Sequence, residues 1–195
     1  MEVKYPHFFS KLANCVIGPG DGIESHENIT KWLDYEVELA VIIGRKGRDI
    51  TKENALQHVL GYTAANDVTA RDLQKLHSQW FKGKSLDTSC PLGPFITLSS
   101  QHDPDTDVNI PHNLDLQLYL NGELRQNSNT RNLIFNIPEL IHQFSKGTTL
   151  FPGDILLTGT PSGVGFARNP PINLKRGDLV DIRIQHIGQL CNPVV

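Results

Sequence analysis

An α+β fold, mostly β with a few short helices, is predicted by three features of this sequence. Apolar residues alternate at period two over 34–43 and 114–120, turn-forming clusters recur between such runs, and helical spacing is confined to short stretches. At 195 residues with 38% hydrophobic content, the chain fits one domain, 1–195, able to bury a substantial core.

The elements follow in order. Residues 1–30 hold an aromatic patch, Tyr5-Pro6-His7-Phe8-Phe9, and turn chemistry at Gly18-Pro19-Gly20-Asp21-Gly22. The strand at 34–43 puts Tyr35, Val37, Leu39, Val41 and Ile43 on one face and Asp34, Glu36, Glu38, Ala40 and Ile42 on the other. Thr51 is placed to cap a short helix through His58, with Ala55, Leu56 and Val59 as its apolar stripe. Gly61–Ala65 reads as a small, apolar strand ending at Asn66-Asp67, and from Val68 the spacing turns helical, setting Arg71 one turn from Asp67 and Gln74 beside Arg71.

Residues 80–87 read as a loop in which Lys82 and Lys84 flank Gly83, and Cys90-Pro91-Leu92-Gly93-Pro94 leads into a strand from Phe95 to Leu98. Residues 101–111 read as a polar surface loop. Leu114, Leu116, Leu118 and Leu120 alternate up to Asn121-Gly122, a hairpin signal, with a return strand at Glu123–Gln126. A polar bend at 128–130 precedes a helix with Pro138 in its first turn and Leu140, Ile141 and Phe144 buried. Pro152-Gly153-Asp154 turns into a strand at 155–158 that runs into Gly159-Thr160-Pro161-Ser162-Gly163-Val164-Gly165. Arg176-Gly177-Asp178 turns into a last strand at 179–184, and Gly188 interrupts the pattern before the C-terminus.

Composition narrows the function classes. A net charge of −3 without long charged runs gives no nucleic-acid footprint and no basic membrane-binding stripe, so small molecules or copies of the chain are the expected partners. Three distant cysteines without C-x-x-C argue against a disulfide framework or a zinc site and point to a reducing compartment. No apolar segment resembles a signal or a membrane span, so a soluble, unsecreted chain is expected. The Gly159–Gly165 loop lacks the Lys-Ser/Thr of a P-loop, there is no G-x-S-x-G elbow, and Cys90 has no charged neighbour in sequence.

Glu36 and Glu38 carry the clearest chemistry. Like charges on one strand face, rooted roughly 7 Å apart, repel unless a cation lies between them, and two glutamates at that spacing can converge on a hard ion at about 2.1 Å. A solvated edge strand whose glutamates discourage aggregation is the plainer alternative. Asp67 with Arg71 and Gln74 reads locally as a cap with an ion pair, and the glycine-rich turn either as a tight turn or as a carboxylate cradle using its N–H groups and the Thr160 hydroxyl.

Taken together, Asp34-Tyr35-Glu36-Val37-Glu38-Leu39, Gly61–Asp72, Gly83-Lys84-Ser85-Leu86-Asp87, Asn121-Gly122-Glu123 and Gly159–Gly165 resemble the fumarylacetoacetate hydrolase family in order and spacing, over roughly residues 6–195. The nearest branch includes acylpyruvases and oxaloacetate tautomerases or decarboxylases. The resemblance implies a mixed β-sandwich or β-roll, a homodimer, and a location in the cytoplasm or mitochondrial matrix. It implies that Glu36, Glu38 and Asp67 hold Mg²⁺ or Mn²⁺, that Arg71, Gln74, Gly159 and Thr160 bind a small 2-oxo acid, and that Lys84 binds an anionic oxygen and stabilises an enolate. C–C hydrolysis of an acylpyruvate, oxaloacetate decarboxylation and keto–enol tautomerisation all pass through such an enolate. An isomerase or hydratase of aromatic catabolism is the alternative reaction. Relatives of the branch usually carry an N-Y-x-x-H-x-x-E segment whose His and Glu form an acid–base pair on a lid; none is present here, which makes a catalytically silent oxo-acid-binding protein the alternative from another class.

Overall fold

The structure is a computed structural model describing residues 4–99 and 111–195. In chain order it contains β1 (Val16–Ile17), β2 (Leu33–Asp34), β3 (Val37–Ile43), β4 (Val59–Asn66), β5 (Thr69–Ala70), α1 (Arg71–Leu76), α2 (Phe81–Lys84), β6 (Cys90–Leu98), β7 (Asp115–Leu120), β8 (Glu123–Asn129), α3 (Ile137–Ser145), β9 (Ile155–Leu157), β10 (Leu179–Ile184) and β11 (Gly188–Pro193), with short 3₁₀ turns between them.

One sheet runs β1-β6-β4-β3-β9 and a second β11-β10-β7-β8, while β2 and β5 form a separate pair. Among the described residues only β1 joins its neighbouring strand in parallel; the other strand pairings are antiparallel. The inner faces of the two sheets bury Leu39, Val41 and Tyr62 with Leu118, Ile182 and Leu190 in one apolar core, so the mixed β-sandwich with few short helices is the observed architecture.

The period-two reading of β3 holds, since Tyr35, Val37, Leu39, Val41 and Ile43 all join that core. The edge-strand alternative does not. β3 lies between β4 and β9 and all seven of its residues are buried, so its glutamate cannot serve to keep a free edge from aggregating. The hairpin is also as expected: Asn121 and Gly122 have φ of 53° and 81°, the paired left-handed conformation that matches strand twist.

Several local expectations are overturned by pairing between distant segments. Thr51 stands before a 3₁₀ turn (Lys52–His58) but its side chain makes no cap, and Val59 pairs with Ile43 as the first residue of β4. Val68 does not open a helix, because Thr69 and Ala70 pair with Asp34 and Leu33, and α1 begins only at Arg71. Part of the 80–87 loop is the single turn α2. β6 starts at Cys90 rather than Phe95, where Cys90 pairs with Val16, and β8 continues to Asn129 opposite Asp115. Phe144 is 36% exposed and packs on the Phe8 ring instead of the core. Gly188, read as an interruption, stands between β10 and the return strand and opens β11. The loop expected at 101–111 lies outside the described residues except for its last position.

Candidate active site

The carboxylates meet because β3 and β4 are antiparallel neighbours. Val37 pairs with Asn66 and Glu38 with Ala65, while the Asp67 N–H donates to Glu36 O at 2.9 Å and the Asn66 side chain accepts from Glu36 N at 3.0 Å. The start of one strand therefore faces the end of the other. Glu36, Glu38 and Asp67 are all buried, and each offers an oxygen lying within 4.8 Å of those offered by the other two.

Lys84 reaches them from α2. A Cβ on Gly83 would lie 2.7 Å from Gln74 N and 2.8 Å from Ala70 O, so the glycine permits α2 to approach α1 closely and brings Lys84 inward. The Lys84 Nζ is 2.8 Å from Glu36 Oε2 and 2.5 Å from Asp67 Oδ2, and only 2% of the residue is exposed. Lys11 arrives from the N-terminal segment with its Nζ 2.8 Å from Asp67 Oδ1, and the Phe9 ring lies 5.0 Å from Lys84 Nζ.

Arg71 does not pair with Asp67 as the helical spacing suggested. The late start of α1 turns it toward Asp34, with Nε and Nη2 each 2.9 Å from Oδ2, and Nη2 is also 2.6 Å from Glu36 Oε1. Gln74 accepts from Arg71 Nη1 at 3.3 Å, as the one-turn spacing implies. At the glycine-rich turn, Gly159 N donates to Glu38 Oε2 at 2.5 Å. The Thr160 hydroxyl donates to Val37 O at 3.0 Å and accepts from Gln126 Nε2 at 2.8 Å. That hydroxyl hydrogen is thus committed to the main chain.

Burial dominates the electrostatics. Glu38 is held well above the usual carboxylate range by burial and then by the negative charges of Asp67 and Glu36. Glu36 moves up for the same first reason, opposed by the Lys84 ammonium. Burial works against the charge of Lys84, but Asp67 and Glu36 outweigh it and keep the ammonium above its ordinary value. Cys90 is buried, with its thiol pushed up by its hydrogen bond with Cys15 and by burial, so it is no ready nucleophile.

The donor set fits a hard divalent cation: three carboxylates offer only oxygen. Asp67 Oδ1 adds to the fit. It is buried and makes no aligned hydrogen bond, the Lys11 contact being a close charge pair alone. Glu38 lines a cavity of about 1040 Å³ together with Lys11, Phe9, Gly159, Thr160 and apolar residues including Phe144.

Every residue singled out in the sequence for metal or oxo-acid binding is therefore in this region, but sequence reasoning missed Asp34, Asn66, Gln126, Lys11 and Phe9 as parts of it. Asp34 stood on the same strand face as Glu36, a usable signal. Lys11 had none, because nothing in its local pattern connects it with a residue 56 positions on.

Comparison with known proteins agrees with this geometry. The sequence model described as fumarylacetoacetate (FAA) hydrolase C-terminal matches residues 1–195. Oxaloacetate tautomerase YisK of Bacillus subtilis (strain 168) is 51% identical over 191 residues, which cover 98% of this chain and 62% of the relative. Oxaloacetate tautomerase fahd2, mitochondrial, of Xenopus laevis is 46% identical over 194 residues, covering 98% of this chain and 59% of the relative. The chain thus spans about three-fifths of the length of these relatives. The solved structure of fumarylacetoacetate hydrolase (EaFAH) from psychrophilic Exiguobacterium antarcticum matches with a TM-score of 0.90 at 47% identity, over 95% of this chain and 65% of that one. The structure of 5-carboxymethyl-2-hydroxymuconate delta-isomerase from Mycobacterium smegmatis gives 0.86 at 38% identity, over 100% of this chain and 71% of that one. With the family model matching the full span of the chain and the fold shared with these solved structures, this chain belongs to the fumarylacetoacetate hydrolase family.

Proposed function

We propose that residues 1–195 form one catalytic domain that uses a divalent metal ion, Mg²⁺ or Mn²⁺, to act on small 2-oxo acids, with oxaloacetate keto–enol tautomerisation the foremost reaction. Oxaloacetate decarboxylation and acylpyruvate C–C hydrolysis are the other outcomes open to an enolate. The observation that carries this reading is the convergence of Glu36, Glu38 and Asp67, buried, within 4.8 Å and beside the Lys84 ammonium.

Glu36, Glu38 and Asp67 would hold the ion, which when bound supplies positive charge to a 2-oxo carbonyl and so acidifies the neighbouring C–H. Lys84, kept charged by its carboxylate partners, places an ammonium where an enolate oxygen develops. The Arg71–Gln74 pair and the Thr160 backbone N–H, next to Gly159, would receive the substrate carboxylate. Phe9 lies over Lys84, and in so dry a setting the attraction of the ammonium for an anionic oxygen is stronger than in water.

An isomerase of aromatic catabolism is the second reading, favoured by the likeness to the Mycobacterium smegmatis isomerase. A homodimer and a location in the cytoplasm or mitochondrial matrix complete the proposal. Among the described residues no helix is long and apolar enough to cross a membrane, and several relatives carry the word mitochondrial in their names.

Calorimetric titration of oxalate, which mimics the pyruvate enolate, tests the site. Binding that requires Mg²⁺ is expected, and binding indifferent to Mg²⁺ would refute the reading. Following the enol absorbance of oxaloacetate and then that of a muconate-type acid separates the two reactions, and sedimentation velocity gives the oligomeric state.

A further inference from the structure

Asp34 is buried, yet it accepts from four donors. Its Oδ1 takes the N–H of Tyr35 at 2.9 Å and of Gly165 at 2.8 Å. Its Oδ2 takes the N–H of Phe166 at 3.0 Å and that of Arg71 Nε at 2.9 Å, with Arg71 Nη2 also 2.9 Å away as a charge contact. The approach of the turn is built for this carboxylate, because a Cβ on Gly165 would sit 2.7 Å from Asp34 Oδ1 and 2.0 Å from Ile172 O.

The same guanidinium also touches Glu36 Oε1 at 2.6 Å. Arg71 is therefore a cation shared between a carboxylate that belongs to the triad and one that does not. Without Asp34, its whole charge would fall on Glu36, competing with any second cation for that oxygen and repelling it at close range.

We infer that Asp34 is a positioning residue of this site, which draws the charge of Arg71 away from Glu36 and anchors the 163–166 end of the glycine-rich turn. Metal affinity and oxo-acid affinity thereby share one buried carboxylate that itself touches neither ligand. This rests on the reading of Glu36, Glu38 and Asp67 as a metal site, and the test separates the two.

Mn²⁺ dissociation constants would be measured by the electron paramagnetic resonance signal of the free ion for wild type, Asp34→Asn, Arg71→Gln and the double variant, with folding checked by circular dichroism. Asp34→Asn is expected to weaken Mn²⁺ about tenfold, the size of effect seen when a group supporting a metal ligand is lost. Arg71→Gln should bind Mn²⁺ at least as tightly as wild type. The double variant should recover to within about threefold of wild type, because the uncompensated charge is gone. Oxalate affinity at saturating Mn²⁺ should still be lower in the double variant than in Arg71→Gln, which reports the released turn.

A folded Asp34→Asn protein with unchanged Mn²⁺ affinity, or a double variant that recovers nothing, would overturn the inference and leave Asp34 a structural residue. If Asp34→Asn does not fold, Arg71→Gln decides: unchanged or tighter Mn²⁺ supports the inference, and tenfold weaker binding overturns it. A wild-type protein that binds no Mn²⁺ would overturn the metal reading itself and the inference with it.

Discussion

At the scale of single residues, the site is a compact, largely buried cluster of opposite charges. Asp34, Glu36 and Asp67 pair with Arg71, Lys84 and Lys11, and Glu38 lies beside Glu36 and Asp67, so removal of any one charge is felt by the rest. Glu36→Gln removes one carboxylate charge while keeping the side chain's shape. Its Mg²⁺-dependent oxalate binding should fall by about a hundredfold or more with the fold retained, and wild-type affinity in calorimetry would remove Glu36 from the metal set. Lys84→Met should lower turnover of oxaloacetate by roughly a hundredfold. Its metal binding should hold or tighten, because a cation that occupies Glu36 and Asp67 is gone. Equal loss of turnover and metal binding would reduce Lys84 to a structural part. The glutamates were legible in sequence because strand periodicity put them on one face. Lys11 and Gln126 were not, because each reaches its partner through tertiary packing that leaves no local pattern.

Whole elements show the same division between local and distant causes. The hairpin β7–β8 was readable because Asn121-Gly122 specifies its own turn. The start of α1 was not, because it is set by β5 pairing with β2 across more than thirty residues of chain, and this displacement is what turns Arg71 from Asp67 to Asp34. Glycines in turns follow a comparable rule. Gly163 has φ of 105° and a Cβ there would lie 2.3 Å from Arg125 O, whereas Gly153 has φ of 94° with nothing within 4 Å. Gly153→Ala should therefore cost only the left-handed strain of about 1–2 kcal/mol. Gly163→Ala should add an overpacking cost of roughly 1–3 kcal/mol and, by displacing the turn, weaken oxalate binding as well. Thermal unfolding of both variants with oxalate titration checks this, and equal destabilisation with unchanged affinity would show that the turn is not held against β8 for binding.

For the whole molecule, the two-sheet sandwich could be anticipated as mostly β, but which strands form which sheet could not be read from local pattern, since β3 has β4 and β9 as neighbours and β7 has β8 and β10. That arrangement buries the acidic site among the strands, so the charge state of the site becomes a term in global stability. Burial first, and then Asp67 and Glu36, raise the Glu38 carboxyl well above its ordinary 4.5, and Glu36 shifts in the same direction. A carboxyl whose folded value exceeds its unfolded value stabilises the fold below the unfolded value, and that contribution disappears as pH rises through the folded one. The metal-free protein should accordingly lose stability as pH rises from about 4.5 toward the raised folded values. Metal loading should run the other way, since it requires the deprotonated carboxylates and binds more tightly as pH rises. At a hundredfold excess over its dissociation constant a ligand adds about 2.7 kcal/mol, worth roughly 5–10 °C in a domain of this size. The rise in melting temperature on adding Mg²⁺ should therefore be several degrees at about pH 7.5 and much smaller at about pH 5.5. Differential scanning calorimetry at both values decides: an increment that is the same at each pH would mean that Glu36 and Glu38 release no protons on binding, and would place the ion elsewhere.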